Sequence, residues 1–211
     1  DLAGHTLTII GNMTQTGGTI NINGGKIIVE GNLFQTGGTM NIGGGRLEIE
    51  GDYKIQGSSG GYSNGTLKMT NESDYVYIGG SFLTDSRNSH ESCLTAGTME
   101  IKGDFTQKSI YNWYNESDKR NFKAIGTHKV IFSGSTAQTV SFEDPSSNYS
   151  QFNILEISDD AYDVQFSTAI SINMLVGEYK FSSTMAVNSV GLPMTEDATI
   201  IGNFTLNGGN L

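Results

Sequence analysis

Apolar and polar residues alternate with a period of two in short words of three to five residues along most of the chain. Pairs of glycine, or glycine with asparagine, separate the words. In residues 19–30 the positions expected to face a core are Ile20 and Ile22, then Ile27 and Val29. Strict alternation indicates a half-buried strand, and Gly-Gly or Gly-Asn indicates a turn. The pattern therefore predicts short strands joined by tight turns.

The words recur after 20 residues. Residues 11–30 and 31–50 align without a gap and are identical at 12 of 20 positions. A strand of about five residues cannot bury its apolar face alone, but stacked coils place equivalent residues about 4.7–4.9 Å apart. The repeat predicts an all-β, right-handed parallel β-solenoid (β-helix) with coils of about 20 residues. Stacking would form polar ladders on the outer faces and turns: Thr19 with Thr39, Asn21 with Asn41 and Gln15 with Gln35.

A Greek-key sandwich is the competing all-β interpretation, but it would not need identical turn residues every 20 positions. The second word continues as glycine, a small polar residue and an apolar residue, and this triplet recurs at residues 11–13, 31–33, 51–53, 80–82, 103–105 and 202–204. We therefore expect residues 1–211 to form a single solenoid domain, with regular coils and inserts over 1–126 and irregular coils over 127–211. A separate small β-domain after about residue 127 is the alternative. Because both ends stop in the middle of a coil, we expect this chain to be a piece excised from a longer repeat protein.

Three longer stretches interrupt the regular coils, at residues 54–64, 83–93 and 106–125. All three follow the same apolar position, and inserts that share one phase of a solenoid emerge from one edge. They should form a contiguous loop surface, the usual place for binding residues.

The third insert contains the only tryptophan. A pyranose face packs on an aromatic ring while Asn and Arg side chains bind its hydroxyls. The candidate glycan-binding residues are Tyr62, Tyr111, Trp113, Tyr114, Asn115 and Arg120. The alternative is that Trp113 folds back as a lid over the coil edge.

Charge and composition narrow the function classes. With 12 basic and 22 acidic side chains the formal net charge is −10, which argues against a nucleic-acid partner because such affinity comes mostly from Lys and Arg. No apolar run approaches the roughly 20 residues of a membrane span, so no membrane insertion is expected. The single cysteine, Cys93, excludes an internal disulfide framework.

Recognisable catalytic or cofactor chemistry is lacking in the sequence. His5, His90 and His128 lie far apart, and the His90-Glu91 pair near Cys93 is expected in an exposed loop. No metal site or cofactor is predicted, with adventitious calcium the alternative to solvated turns at Glu143-Asp144 and at residues 159–160. The sequence contains no nucleophile elbow and no phosphate-binding loop, so we expect a non-catalytic protein. Should the chain resemble a β-helical polysaccharide lyase or hydrolase, its candidate carboxylates are Asp52, Asp85, Asp104, Glu143, Asp144, Asp159 and Asp160.

The words GGTININGGKIIVEGN, GTLKMTNESDYVYIGGSF, LTAGTMEIKGDFTQK and GTHKVIFSGSTAQTVSF resemble the repeats of large secreted or surface-attached bacterial β-solenoid proteins. Such proteins include filamentous-haemagglutinin-type adhesins and cellulose-binding tāpirins. The resemblance implies an extracellular or cell-surface structural or adhesive module, with a polysaccharide or surface glycan as partner. A dedicated carbohydrate-binding module of a polysaccharide-degrading system is the alternative function. Exposed strand edges at the coil ends also predict end-to-end self-association.

Overall fold

Each early coil contributes one strand to each of three parallel sheets, and the later coils continue two of these sheets. The computed structural model describes residues 1–109, 116–158, 161 and 163–176, and the backbone of four short strands beyond them. The parallel sheets stack as a β-solenoid of about seven turns, which confirms the predicted fold class. Among the described residues the one helical segment is a 3₁₀ turn at Asp118–Arg120, and no helix there is long and apolar enough to cross a membrane.

The strands are short and follow the predicted words. In chain order they are β1 (Thr6–Ile9), β2 (Met13–Gln15), β3 (Thr19–Asn21), β4 (Lys26–Val29), β5 (Leu33–Gln35), β6 (Gly37–Asn41), β7 (Arg46–Ile49), β8 (Tyr53–Ile55), β9 (Asn64–Lys68), β10 (Tyr75–Ile78), β11 (Phe82–Thr84), β12 (Thr98–Ile101), β13 (Phe105–Gln107), β14 (Lys129–Phe132), β15 (Ala137–Phe142), β16 (Phe152–Ile157), β17 (Asp163–Phe166), β18 (Ile172–Val176), β19 (Tyr179–Phe181), β20 (Met185–Val187), β21 (Ala198–Ile200) and β22 (Phe204–Leu206).

Two long sheets run the length of the stack. An eight-stranded sheet has the order β1-β4-β7-β10-β12-β14-β16-β18, and a seven-stranded sheet has the order β2-β5-β8-β11-β13-β15-β17. A three-stranded sheet, β3-β6-β9, closes the early coils. Strands β14 to β18 extend the two long sheets, so the described chain after residue 127 continues the same stack. Further along, β19 pairs with β21 and β20 with β22.

Register shows how the repeat builds the core. Equivalent inward positions of the eight-stranded sheet form one apolar file: Leu7, Ile27, Leu47, Val76, Met99, Val130, Leu155 and Leu175. The first two steps along this file are 20 residues, as predicted, whereas the mean spacing of the turns is about 24 residues. The difference arises because the inserts lengthen the later coils.

A side-chain ladder fixes the corner between the two long sheets. The residue after the corner glycine accepts a hydrogen bond, through its side-chain oxygen, from the backbone N–H of its counterpart in the next coil. The donor–acceptor distances are 2.7–3.0 Å, and the residues of this corner ladder are Asn12, Asn32, Asp52, Ser81, Asp104 and Thr139, the last as a donor only. Thus Asp52 and Asp104, two of the candidate catalytic carboxylates, have a structural role at the corner.

The expected polar ladders are present, but the glutamine ladder lies inside the coil and not on the expected outer face or turn. Gln15 pairs with Gln35 in register, and both side chains are buried. Their amide nitrogens donate to main-chain carbonyls of the neighbouring coil, Gln15 to Thr39 at 3.1 Å and Gln35 to Thr66 at 3.1 Å. These buried amides supply the donors that the main-chain carbonyls at the corner would otherwise lack.

Candidate functional site

The three inserts leave the stack at one edge, between the seven-stranded sheet and the return to the eight-stranded sheet, as the shared phase predicted. We call this surface the insert edge and define it by residues 56–63, 85–97, 108–109 and 116–128. The strand β9 and the isolated bridge between Met69 and Leu94 continue the coil path behind it.

Hydrogen bonds join the inserts to one another across successive coils. The Arg87 N–H donates to the Ser63 carbonyl at 2.9 Å, and the Ser117 hydroxyl donates to the Arg87 carbonyl at 2.6 Å. The His90 N–H donates to the carbonyl of Arg120 at 2.9 Å. Because each insert is bonded to the next, the insert edge is one connected surface instead of three independent loops.

A tight glycine turn positions Tyr62 on the first insert. The Gly57 N–H donates to the Gly61 carbonyl at 2.6 Å, and Gly60 has a φ of +75°, a conformation that glycine adopts without a steric penalty. The Tyr62 ring is 43% exposed, and the guanidinium of Arg87 lies 4.5 Å from its centroid. This geometry pairs an aromatic face with a cation at the surface.

A second aromatic–cation group surrounds Tyr149. Its ring centroid lies 4.9 Å from the Lys119 ammonium and 5.7 Å from the Arg120 guanidinium, and its hydroxyl donates to the Glu116 carboxylate at 3.0 Å. The Arg120 Nε also donates to the Asn148 carbonyl at 3.0 Å. The hydrogen bond to Glu116 raises the pKa of the Tyr149 phenol.

The structure describes two of the six residues predicted for glycan binding. Tyr62 and Arg120 both lie on the insert edge, but each pairs with a different neighbour, Arg87 and Tyr149 respectively. The other four predicted residues lie outside the described residues: Tyr111, Trp113, Tyr114 and Asn115. Sequence reasoning missed Arg87 and Tyr149. A lone arginine in a Ser-Asn-rich insert was the available signal for Arg87, whereas Tyr149 follows a segment interpreted only as a turn.

Of the remaining candidate carboxylates that the structure describes, Asp85 is the most buried. It is 2% exposed, and burial raises its pKa, to which the charges of Glu143 and Asp118 add. Glu143 and Asp144 accept hydrogen bonds from the Ser109 N–H and hydroxyl respectively. Residues 159–160 lie outside the described part of the chain. Within that part, no three His, Cys, Asp or Glu side chains are grouped closely enough to hold a metal ion.

The expectation that His90 lies in an exposed loop is wrong. His90 is 1% exposed, because the second insert folds back onto the coil, and its Nε2 accepts a hydrogen bond from the Leu67 N–H at 3.0 Å. His128 is also fully buried, beside Phe122. Burial lowers the pKa of His90 to about 4 and that of His128 to about 3, so both are neutral near pH 7.

Fold and site together define a β-solenoid repeat protein with a connected loop edge. Comparison of the chain with protein-family models, curated proteins and solved structures finds no match.

Proposed function

We propose that this chain is a non-catalytic structural or adhesive module of an extracellular or surface-attached bacterial protein, which binds a glycan or glycan-coated surface through the insert edge. The observation that carries the proposal is the hydrogen bonding that unites the three inserts, with one aromatic–cation group at Tyr62 on their surface and a second at Tyr149 beside it.

Saccharide recognition needs an apolar face beside hydrogen-bond donors held in fixed positions. Arg87 and Arg120 supply guanidinium N–H groups next to tyrosine rings, and a guanidinium has five donors. Because the inserts are already bonded to one another, binding orders few side chains and costs little entropy. The long parallel stack behind them supplies a rigid support, which suits a stalk that presents a binding edge.

Retention on insoluble polysaccharides and on glycan-coated beads tests this function. We expect the wild-type chain to be retained saturably by at least one glycan of a panel, and Tyr62→Ala to weaken that binding about tenfold, equivalent to about 1.4 kcal/mol. The matched control is Tyr77→Ala, which removes a tyrosine from the outer face of the eight-stranded sheet, away from the inserts.

Two results would contradict the proposal. One is the absence of retention by every glycan of the panel. The other is an equal loss in Tyr62→Ala and Tyr77→Ala, since that would place the contact outside the insert edge or show a general loss of stability. Circular dichroism of each variant separates these cases from unfolding.

A further inference from the structure

A groove lies on the outer face of the seven-stranded sheet, where the first insert overhangs strands β2, β5 and β8. Its volume is about 310 Å³. The lining residues are Thr14, Phe34, Thr36, Lys54, Gln56, Gly57, Ser58 and Gly60. We call it the sheet groove. Thr14, Phe34 and Lys54 are register partners in three successive coils, so their side chains line its floor in a row along the solenoid axis.

We propose that the sheet groove binds one pyranose ring of a neutral saccharide, stacked on the Phe34 ring. This second site rests on the proposed function in one respect, that glycans are the ligands of this chain. It adds a location and a ligand class that the insert edge does not define.

Phe34 is unusual for its position. The equivalent outward residues of the described coils are Thr14, Lys54, Leu83, Thr106 and Ser141. The partly exposed ring therefore stands alone in its file, next to a threonine on one side and a lysine on the other. A flat aromatic face flanked by polar groups is the arrangement on which sugar rings stack.

The polar groups of the sheet groove are held in place with bonding capacity to spare. Gln56 donates from its amide to the Gly60 carbonyl at 3.1 Å. This bond orients the side-chain amide, whose carbonyl oxygen can accept from a sugar hydroxyl. The Lys54 ammonium bonds the Asp52 carboxylate at 3.0 Å, which leaves further N–H donors and balances its charge.

The charge balance decides between neutral and acidic saccharides. A carboxylate ligand would compete with Asp52 for the ammonium, whereas a hydroxyl can accept from one of the remaining Lys54 hydrogens. The glycine turn that lines the groove is tightly closed, since a Cβ on Gly57 would lie 2.7 Å from the Tyr62 carbonyl oxygen. The turn is therefore a preformed wall of the sheet groove. A preformed, charge-balanced groove favours a neutral ring.

Titration with soluble oligosaccharides, followed by NMR chemical shifts, tests this site. The panel contains neutral tetrasaccharides of β-1,4-glucose, β-1,3-glucose and β-1,4-xylose, with an oligogalacturonate as the acidic comparison. The variant is Phe34→Thr, which installs the residue that Thr14 already provides one coil earlier and so preserves the fold. The matched control is Leu83→Thr, in the same file but outside the sheet groove.

We expect a neutral tetrasaccharide to shift resonances of Thr14, Thr36 and Gln56, and Phe34→Thr to weaken binding at least tenfold while Leu83→Thr binds as wild type. Unchanged binding in Phe34→Thr, or no chemical-shift change with any neutral saccharide, would overturn the proposal that the sheet groove binds a saccharide. Preference for oligogalacturonate would overturn the neutral ligand class.

The two proposals fail separately. Retention on insoluble glycan that is lost in Tyr62→Ala but kept in Phe34→Thr would leave the insert edge standing and remove the sheet groove. The opposite pattern would move glycan recognition from the insert edge to the sheet groove.

Discussion

The regular coils, residues 1–50, and the insert coils, residues 51–158, use the same register but fill their cores differently. In the regular coils the buried hydrophobic side chains include no aromatic ring, as at Ile27 and Leu33. From Tyr53 onward aromatic rings join the aliphatic side chains in the core. The fully buried rings of the insert coils include Tyr53, Phe82, Phe105, Phe122, Phe132 and Phe152.

An insert supplies part of this aromatic core itself. Phe122 belongs to the third insert, and its ring lies 4.7 Å from that of Phe105 and 5.6 Å from that of Phe82. The insert therefore returns to the core before the chain re-enters the eight-stranded sheet. The comparison teaches that a regular coil is held by stacked aliphatic side chains and polar ladders, whereas an insert coil is also anchored by rings that span several coils. These rings keep the insert edge in a fixed position.

The largest predicted effect tests this difference within one file. Leu33 and Phe105 are equivalent inward residues of the seven-stranded sheet, separated by two coils. We expect Phe105→Ala to lower the free energy of unfolding by about 4 kcal/mol and Leu33→Ala by about 3 kcal/mol, since a phenyl ring leaves the larger cavity. Urea unfolding followed by circular dichroism measures both. A larger loss in Leu33→Ala would show that the aromatic cluster does not dominate the core.

The fold was predictable from the sequence because each coil of a solenoid repeats the same strands and turns, so the structural repeat appears as a sequence repeat. Two copies of 20 residues located the register, and turn glycines such as Gly11 and Gly31 marked the corner phase. The sequence pattern also predicts strands at Phe152–Ile157 and at Ala169–Ile172. The first prediction matches β16, whereas the second strand, β18, spans Ile172–Val176. The period fades there, and the core pattern allows more than one register.

The candidate site was less predictable, because its contacts join residues of different coils without a period. The Tyr62–Arg87 pair depends on how two inserts of different length stack. The sequence of one insert does not indicate where the side chains of the other insert lie. The burial of His90 likewise depends on the second insert folding inward, where its ring accepts from the Leu67 N–H. The phase shared by the inserts predicted where the surface lies, but not which side chains meet on it.

The second prediction concerns pH. Buried His90 and His128 belong to the insert coils, whereas the only histidine of the regular coils, His5, is exposed. Burial lowers the pKa of His90 to about 4 and of His128 to about 3, against about 6.5 in an unfolded chain. Between these values the unfolded chain binds more protons, so stability falls as the pH falls from about 6.5 toward the folded pKa.

At pH 5 each buried histidine should reduce the free energy of unfolding by about 2 kcal/mol relative to neutral pH. Hydrogen exchange should then show the insert coils opening before the regular coils. His128→Leu should remove about half of the histidine-dependent loss, because His90 and His128 contribute similar amounts. Leucine should be tolerated there, since neither ring nitrogen of His128 has a hydrogen-bond partner among the described residues. His5→Leu is the control and should leave the pH dependence unchanged. Equal acid sensitivity of both variants would contradict the assignment.

The smallest predicted effect lies in the corner ladder, which crosses from the regular coils into the insert coils. Asn32 accepts from the Asp52 N–H at 2.7 Å, and Asp52 accepts from the Ser81 N–H at 2.9 Å. Burial opposes the charge of Asp52, but the Ser81 bond and the Lys54 ammonium outweigh it and lower its pKa. Its charge therefore stabilises the fold above pH 4, and this contribution is lost as the pH falls through the lowered value.

We expect Asn32→Ala to cost about 1 kcal/mol, the net value of one hydrogen bond, and Asp52→Asn to cost less, since the amide oxygen still accepts from Ser81. Thermal unfolding at pH 7 and at pH 3 measures both. At pH 3 the cost of Asp52→Asn should shrink, while that of Asn32→Ala should persist because asparagine does not titrate. If Asp52→Asn costs as much as Asn32→Ala at neutral pH, the ion pair with Lys54 contributes more than the ladder, and the corner of the insert coils is held by charge where that of the regular coils is held by amides.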